Sequence, residues 1–151
     1  MADRTLVLLK PDAVQRSLVG RIIARLEDRG LKIVGMKLMQ MDMDTARRHY
    51  AEHVEKGFFK GLAGFMTSRP LVAMALEGKN AVEVVRATMG HTDPQKSAPG
   101  TIRGDFGQDI GRNLIHGSDS AESAARELAI FFKPEELVTY AREADPWVIE
   151  A

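Results

Sequence analysis

With 151 residues, of which 44% are hydrophobic and 28% charged, the chain is long enough for one domain with a substantial core. Its 21 basic residues balance its 21 acidic ones, so net charge gives no support to a dedicated nucleic-acid or membrane partner. The lack of cysteine excludes disulfides, thiol catalysis and cysteine-ligated zinc. Because the apolar run Leu6–Leu9 is too short for a signal peptide or a membrane span, we expect a cytoplasmic protein with a single domain over residues 1–151.

The first half of the chain predicts a strand, a helix, a second strand and a helical pair. Thr5–Leu9 is a continuous apolar run, typical of a strand covered on both faces, and Lys10 before Pro11 lies at its exit. Apolar spacing predicts the remaining elements: a helix marked by Val19, Ile22, Ile23 and Leu26 that stops at Gly30, a strand over Leu31–Met41, a helix capped by Asp42–Asp44 and running through Tyr50, and, after Gly57, a second helical piece carrying Phe58, Phe59, Leu62, Phe65 and Met66.

The second half repeats the strand–helix alternation after a long irregular connection. The predicted elements are a strand over Leu71–Leu76, a helix with Ala81, Val84, Val85, Thr88 and Met89 on one face and ended by Gly90, a strand that ends at His116, a helix over Ala121–Phe132 with Asp119 or Ser120 as its N-cap, and a last helix that begins at Pro134 and carries Leu137, Val138 and Ala141. Residues 91–111 show no apolar periodicity, and a connection of that length is usually functional or disordered.

This order of elements favours an α+β fold. Two βαβ halves flanking an inserted helical pair predict a ferredoxin-like split βαβ arrangement, in which helices pack on one face of a four-stranded antiparallel sheet.

One histidine is a strong candidate for chemistry. His116 lies where a strand stops and a helix is about to begin, and a helix N-terminus favours negative charge. Glu127 lies about two helical turns further along and could reach back to the ring. A ring nitrogen fixed by a carboxylate leaves the other nitrogen free as a nucleophile or base, although a structural histidine near a turn is the alternative.

Other polar residues gather at the ends of elements and in the long connection. Arg86 and Arg103 can bind phosphate oxygens bidentately, and Thr92 offers a hydroxyl. Lys10 and Asn113 suit sugar hydroxyls or phosphate. Phe58 and Leu62, one helical turn apart, could present an apolar platform for a flat ring.

Two short motifs point to other classes of protein. His49-Tyr50-Ala51-Glu52-His53 matches the H-x-x-E-H pattern of inverted zinc proteases, with both histidines on one helix face, but no strong third ligand follows. Asp105-Phe106-Gly107 matches the magnesium-binding triplet of protein kinases without the other kinase motifs. A solvated helix face and a chance match are the simpler interpretations.

The run Asn113-Leu114-Ile115-His116-Gly117-Ser118-Asp119 resembles the active-site signature of the nucleoside diphosphate kinases. The resemblance extends over nearly the whole chain, through Leu9-Lys10-Pro11-Asp12, Phe58-Phe59-Lys60-Gly61-Leu62, Arg86, Pro99-Gly100-Thr101-Ile102-Arg103-Gly104-Asp105-Phe106 and Pro134-Glu135-Glu136-Leu137. It implies that His116 takes the γ-phosphate of a nucleoside triphosphate on Nδ1 and passes it to a nucleoside diphosphate.

The same resemblance implies a role for each remaining site residue. Glu127 orients the histidine with help from Ser118, Tyr50 lies near the ring, Lys10 and Asn113 reach the ribose, Arg86, Thr92 and Arg103 hold the phosphates, and Phe58 and Leu62 sandwich the base. Mg²⁺ enters on the nucleotide phosphates, so no all-protein metal site is expected. Since apolar contacts read the base by shape alone, base tolerance should be broad.

The tail with Trp147 and Ile149 is similar to that of longer members, which form hexamers, whereas shorter members tend to be tetramers. We therefore expect a homo-oligomer, with a hexamer favoured, although Pro146 departs from the family pattern. The alternative function is a nucleotide-binding sensor of the same fold without turnover, which would have no need of a His116–Glu127 pair.

Overall fold

The computed structural model describes residues 2–150 and is built on a four-stranded antiparallel sheet. Its strands are β1 (Asp3–Leu9), β2 (Lys32–Met39), β3 (Leu71–Gly78) and β4 (Ile115–Gly117), in the order β2-β3-β1-β4. Strand β1 lies between β3 and β4 and pairs with both in antiparallel fashion. This topology is the ferredoxin-like split βαβ arrangement, and the predicted α+β fold is confirmed.

Helices cover both faces of the sheet, so the expectation of helices on one face was incomplete. Within residues 2–150 the α-helices are α1 (Pro11–Gln15), α2 (Val19–Asp28), α3 (Met43–His49), α4 (Phe59–Met66), α5 (Ala81–Met89), α6 (Ile102–Phe106), α7 (Ala121–Phe131) and α8 (Asp145–Val148). Val7 and Leu9 of β1 pack with α1, α2, α5 and α6, whereas Leu6 and Leu8 pack with α3, α4 and α7. Alternate side chains of β1 thus enter two cores, as its continuous apolar run predicts.

Side-chain caps determine where several helices begin. Asp42 accepts a hydrogen bond from the backbone N–H of Thr45 at 2.7 Å and starts α3. Of the two N-cap candidates for α7, Ser120 has this role, since its hydroxyl accepts from the backbone N–H of Ser123 at 3.0 Å. A β-bulge between Ile33 and Gly35 shifts the register in which β2 pairs with β3.

The predicted last helix is wrong. Only a 3₁₀ turn forms over Pro134–Glu136, after which the backbone N–H of Val138 donates to the carbonyl of Val34 at 2.8 Å. Strand β2 is an edge of the sheet, so its unpaired carbonyls offer the tail backbone partners that a helix would forgo. The irregular connection over residues 91–111 also contains a helix, α6, capped by Thr101. No helix within residues 2–150 is long and apolar enough to cross a membrane.

Candidate active site

His116 lies in the middle of β4 and contacts a carboxylate from α7. Its Nε2 is 2.9 Å from Oε1 of Glu127, and the Ser118 hydroxyl donates to the same oxygen at 2.7 Å. The start of α7 at Ser120 places Glu127 about two turns along the helix, where its side chain returns to the strand. Glu127 and Ser118 are buried, whereas the His116 side chain keeps 25% of its surface exposed.

The hydrogen bond to Glu127 selects the tautomer of the neutral His116 imidazole. Burial raises the pKa of Glu127, but the hydrogen bond and attraction of His116 and the hydrogen bond from Ser118 outweigh it, so this pKa is lowered to about 2. An ionised carboxylate can only accept hydrogen bonds, so we assign the proton to Nε2 of His116. Nδ1 then carries a lone pair.

His49, the last residue of α3, lies against the same ring. Its imidazole meets His116 edge-on at 4.9 Å between centroids, and only 4% of the residue is exposed. Among the described residues neither of its ring nitrogens has a hydrogen-bond partner. Burial and the neighbouring His116 lower the pKa of His49 to about 3, so it is neutral. Tyr50 packs on the His49 ring at 4.5 Å, and burial raises the pKa of its phenol.

A second group of predicted residues is joined by hydrogen bonds. Lys10 donates from Nζ to the side-chain oxygen of Asn113 at 2.8 Å, and the Asn113 amide donates to the backbone carbonyl of Thr92 at 2.9 Å. Burial, reinforced by the charge of Arg103, lowers the pKa of Lys10 to about 8. The group thus places a cationic side chain and an amide at the end of β1.

The two predicted phosphate-binding arginines have different surroundings. Arg103 is buried and donates to the backbone carbonyls of Asn113 (3.1 Å), Gly90 (3.3 Å) and Ile115. Burial and nearby Arg86 lower the pKa of Arg103 to about 10, which leaves it charged at neutral pH. Arg86 is exposed and donates from Nη1 to the Gly117 carbonyl at 3.1 Å.

Asp12 supports the turn before His116, a role that sequence reasoning missed. Leu114 is buried with a φ of 74°, in the left-handed region that strains a residue with a branched side chain. The Asp12 carboxylate accepts from the Leu114 N–H at 3.0 Å, and the Leu114 carbonyl accepts from the Lys10 N–H at 2.8 Å. The only signal was an aspartate in the first turn after Lys10-Pro11, 102 residues away from its partner.

A cleft of about 320 Å³ opens beside His116. Of the predicted site residues, Tyr50, Phe58, Leu62, Arg86, His116 and Glu127 line it, together with His49, Glu52, His53 and Asp119. Phe58 is 55% exposed, so its ring is available to a ligand. Lys10, Thr92, Arg103 and Asn113 are not among the lining residues, but Arg103 connects their group to Ile115, the residue before His116.

The prediction that the two histidines of the H-x-x-E-H pattern share one helix face is wrong. Helix α3 ends at His49, and His53 belongs to a 3₁₀ turn over Ala51–His53. The two histidines therefore do not share one helix face. His49 instead lies near His116 and Glu127. Within residues 2–150, these three side chains form a group that could ligate a metal ion.

A family model, curated relatives and a solved structure all relate this chain to the same family. A family model described as nucleoside diphosphate kinase matches residues 3–137. Among curated relatives, the nucleoside diphosphate kinase of Chloroflexus aurantiacus is 60% identical over 150 residues, and that of Desulforamulus reducens is 57% identical over 148; each match covers 98% of this chain and 99% of the relative. A halophilic nucleoside diphosphate kinase from Halobacterium salinarum, solved in complex with CDP, superposes with a TM-score of 0.96 at 53% identity, covering 99% of this chain and 100% of that one.

Proposed function

The chain belongs to the nucleoside diphosphate kinase family of phosphotransferases, and we propose that it transfers the γ-phosphate of a nucleoside triphosphate to a nucleoside diphosphate through His116. The observation that carries the proposal is the 2.9 Å contact between Nε2 of His116 and the Glu127 carboxylate. It leaves Nδ1 as the nucleophile, beside a cleft that Arg86 also lines. A sensor without turnover would have no need of this pair.

The reaction consists of two half-reactions. In the first, the Nδ1 lone pair attacks the γ-phosphorus, the bond to the bridging oxygen breaks, and the nucleoside diphosphate leaves with that electron pair. In the second, a terminal oxygen of another nucleoside diphosphate attacks the phosphorus, and the electron pair of the P–N bond returns to Nδ1. The imidazole gains positive character while phosphorylated, and ionised Glu127 stabilises that charge at Nε2.

Cationic side chains hold the phosphates in this proposal. Arg86 has most of its donors unused, and Arg103 has two of its five N–H groups left after its three backbone contacts. The Thr92 hydroxyl adds a further donor. Since none of these three supplies a carboxylate, they fit Mg²⁺ that arrives on the nucleotide, where it neutralises phosphate charge.

Polar side chains are proposed to bind the ribose of the nucleotide, and apolar side chains its base. Lys10 and Asn113 are proposed to bind the ribose hydroxyls, and Phe58 and Leu62 to sandwich the base. Because stacking does not read hydrogen-bonding edges, purines and pyrimidines should both be accepted. The CDP complex of the Halobacterium salinarum relative supports a pyrimidine substrate here. A change of more than about ten-thousand-fold in kcat/KM between GDP and CDP would contradict this base pocket.

We also propose that one domain spans residues 1–151 and that the chain forms a homo-oligomer, a hexamer rather than a tetramer. Trp147 of the tail is 91% exposed and Leu38 of the edge strand β2 is 66% exposed, and such surfaces favour burial against another subunit. Light scattering tests the assembly, because a tetramer mass would contradict the hexamer.

Initial-rate kinetics test the two half-reactions. ATP and a diphosphate acceptor are varied together, with Mg²⁺ present, and the double-reciprocal lines should be parallel. Intersecting lines would indicate direct transfer in a ternary complex and would overturn the covalent route. Nucleotide binding without any exchange would favour the sensor.

A further inference from the structure

We propose that His49, His116 and Glu127 form a binding site for zinc, and that the ion blocks phosphoryl transfer when it is bound there. The three side chains offer one donor atom each, and these atoms all lie within 4.8 Å of one another. The site is distinct from that of Mg²⁺ carried on a nucleotide, because it uses protein ligands alone.

The chemistry of the donors selects the ion. Two imidazoles and one carboxylate are a typical ligand set for catalytic-type zinc sites, whereas Mg²⁺ prefers oxygen ligands. Three protein ligands leave the fourth position of a tetrahedron open, and all three of these residues line the cleft. A water molecule or a phosphate oxygen would complete the coordination.

His49 supplies an independent observation. Only 4% of the residue is exposed, and neither ring nitrogen has a hydrogen-bond partner among the described residues. Buried polar groups are nearly always paired, so an unpaired imidazole calls for a ligand. Its Nδ1 lies 4.0 Å from Oε2 of Glu127, close to the carboxylate without a hydrogen bond.

The geometry requires modest adjustment. Zinc binds these ligands at about 2.0–2.2 Å, which sets neighbouring donor atoms about 3.3 Å apart in a tetrahedron. Nε2 of His116 and Oε1 of Glu127 are already 2.9 Å apart, and because all the donor atoms lie within 4.8 Å of one another, no separation must close by more than about 1.5 Å. The Ser118 hydroxyl donates to Oε1 of Glu127 at 2.7 Å and orients the carboxylate, as hydrogen bonds to metal-binding carboxylates do. Arg126 lies 3.7 Å from Oε2 but is 43% exposed and can move into solvent.

Inhibition follows from the shared ligands and rests on the proposed function. Because histidine binds zinc as a neutral imidazole, zinc on Nε2 of His116 would require the ring proton to move to Nδ1, which would then have no lone pair for attack. The ion would also occupy the carboxylate that otherwise stabilises the phosphorylated ring. The imidazole would then be held by the metal rather than by Glu127 alone. Metal binding itself does not depend on His116 being a nucleophile.

Calorimetric titration of the tag-free full chain with ZnCl₂, without nucleotide, tests the site. We expect one zinc per chain, and at least about tenfold weaker binding in both His49→Phe and His49→Gln. The chain has four histidines, so His53→Ala and His91→Ala serve as matched controls that should bind zinc as tightly as the unsubstituted protein. Circular dichroism shows whether each variant folds. If one of the two His49 variants does not fold, the other still tests the site.

Two results would overturn the site: no stoichiometric zinc binding, or binding that His53→Ala weakens and His49→Gln does not. The consequence is tested separately by nucleotide exchange at buffered free zinc with excess Mg²⁺. Exchange should fall as zinc binds and return when EDTA is added. Active enzyme that binds zinc through His49 yet loses no exchange would overturn the inhibition, whereas enzyme inactive without zinc would contradict the proposed function instead.

Discussion

Arg103 and Arg86 are both proposed to bind phosphate, yet Arg103 is buried in the connection before His116 whereas Arg86 lines the open cleft. The loop base, comprising Asp12, Arg103, Asn113 and Leu114, is buried and makes hydrogen bonds that fix the turn before His116. The cleft wall, comprising Tyr50, Phe58, Leu62 and Arg86, is partly exposed. The difference indicates that substitutions in the loop base should cost folding stability, whereas those in the cleft wall should cost substrate binding.

The largest expected effect on folding stability is that of Arg103→Ala. Three backbone carbonyls would lose their donor inside the protein, and each unsatisfied buried group costs about 1–3 kcal/mol. We expect the free energy of unfolding to fall by about 3–5 kcal/mol, measured by urea denaturation.

Arg86→Ala is the matched control in the cleft wall. Since Arg86 is exposed, its loss should change the free energy of unfolding by less than about 0.5 kcal/mol while weakening nucleotide binding. Equal destabilisation by the two arginine variants would remove the distinction between loop base and cleft wall.

Glu127→Gln should lower kcat/KM about a hundredfold, equivalent to about 2.7 kcal/mol. Glutamine can still accept the hydrogen bond from Nε2 of His116 but lacks the charge that stabilises the phosphorylated ring. A coupled exchange assay measures the loss. Glu122→Gln, an exposed position on the same helix, should leave kcat/KM within twofold of the starting value, a margin of about 0.4 kcal/mol. Full activity in Glu127→Gln would show that the carboxylate charge is not used.

His49 should make the protein less stable as pH falls. Its pKa is lowered to about 3 in the folded chain, against about 6.5 when unfolded, so the unfolded state binds the extra proton first. Stability is lost from about pH 6.5 downward, by about 2 kcal/mol at pH 5. Glu127, whose pKa is lowered to about 2, loses its own stabilising contribution only below its unfolded value of about 4.5, outside this window.

Urea denaturation between pH 7 and pH 5 measures this dependence. His49→Phe should show a slope smaller by about one proton than the unsubstituted chain, and exposed His91→Ala should not. An unchanged slope in His49→Phe would mean that His49 is not held neutral by burial.

Phe58→Ala should produce the smallest of these effects. Its ring is 55% exposed, so folding stability should hardly change, while loss of base stacking costs about 1 kcal/mol of binding. KM should rise several-fold for GDP and CDP alike with kcat unchanged. Val138→Ala, an exposed apolar residue of the tail, is the control. A loss confined to one base would contradict recognition by shape alone.

Much of the fold was predictable because local patterns and tertiary structure agree. The uninterrupted apolar run of β1 predicted burial on both faces, and the spacing of Val19, Ile22 and Leu26 predicted α2. The tail was mispredicted because Pro134 is a good helix start, whereas the decisive factor, the free edge of β2, lies about 100 residues away. Helix α6 has five residues, too few for apolar periodicity, although Thr101 offered a cap signal.

The site residues that belong to a sequence motif or follow from helical spacing were predictable. The residues that reach the site only through long-range contacts were not. The pairing of His116 with Glu127 follows from helical spacing, because His116 lies in β4 and Glu127 lies about two turns along α7, the helix that follows it. Asp12 and His49 were missed as site neighbours, since neither burial nor an edge-on ring contact can be read from spacing. The cytoplasmic location and the residue roles stay predictions.

The most direct test of the central claim is brief incubation with γ-labelled ATP and Mg²⁺, followed by acid and alkali treatment of the protein. We predict label on the protein that acid removes and alkali does not, as a phosphohistidine requires, that is absent from His116→Ala and that moves onto added GDP. Label that survives in His116→Ala, or nucleotide binding with no labelled protein, would contradict a covalent intermediate on His116.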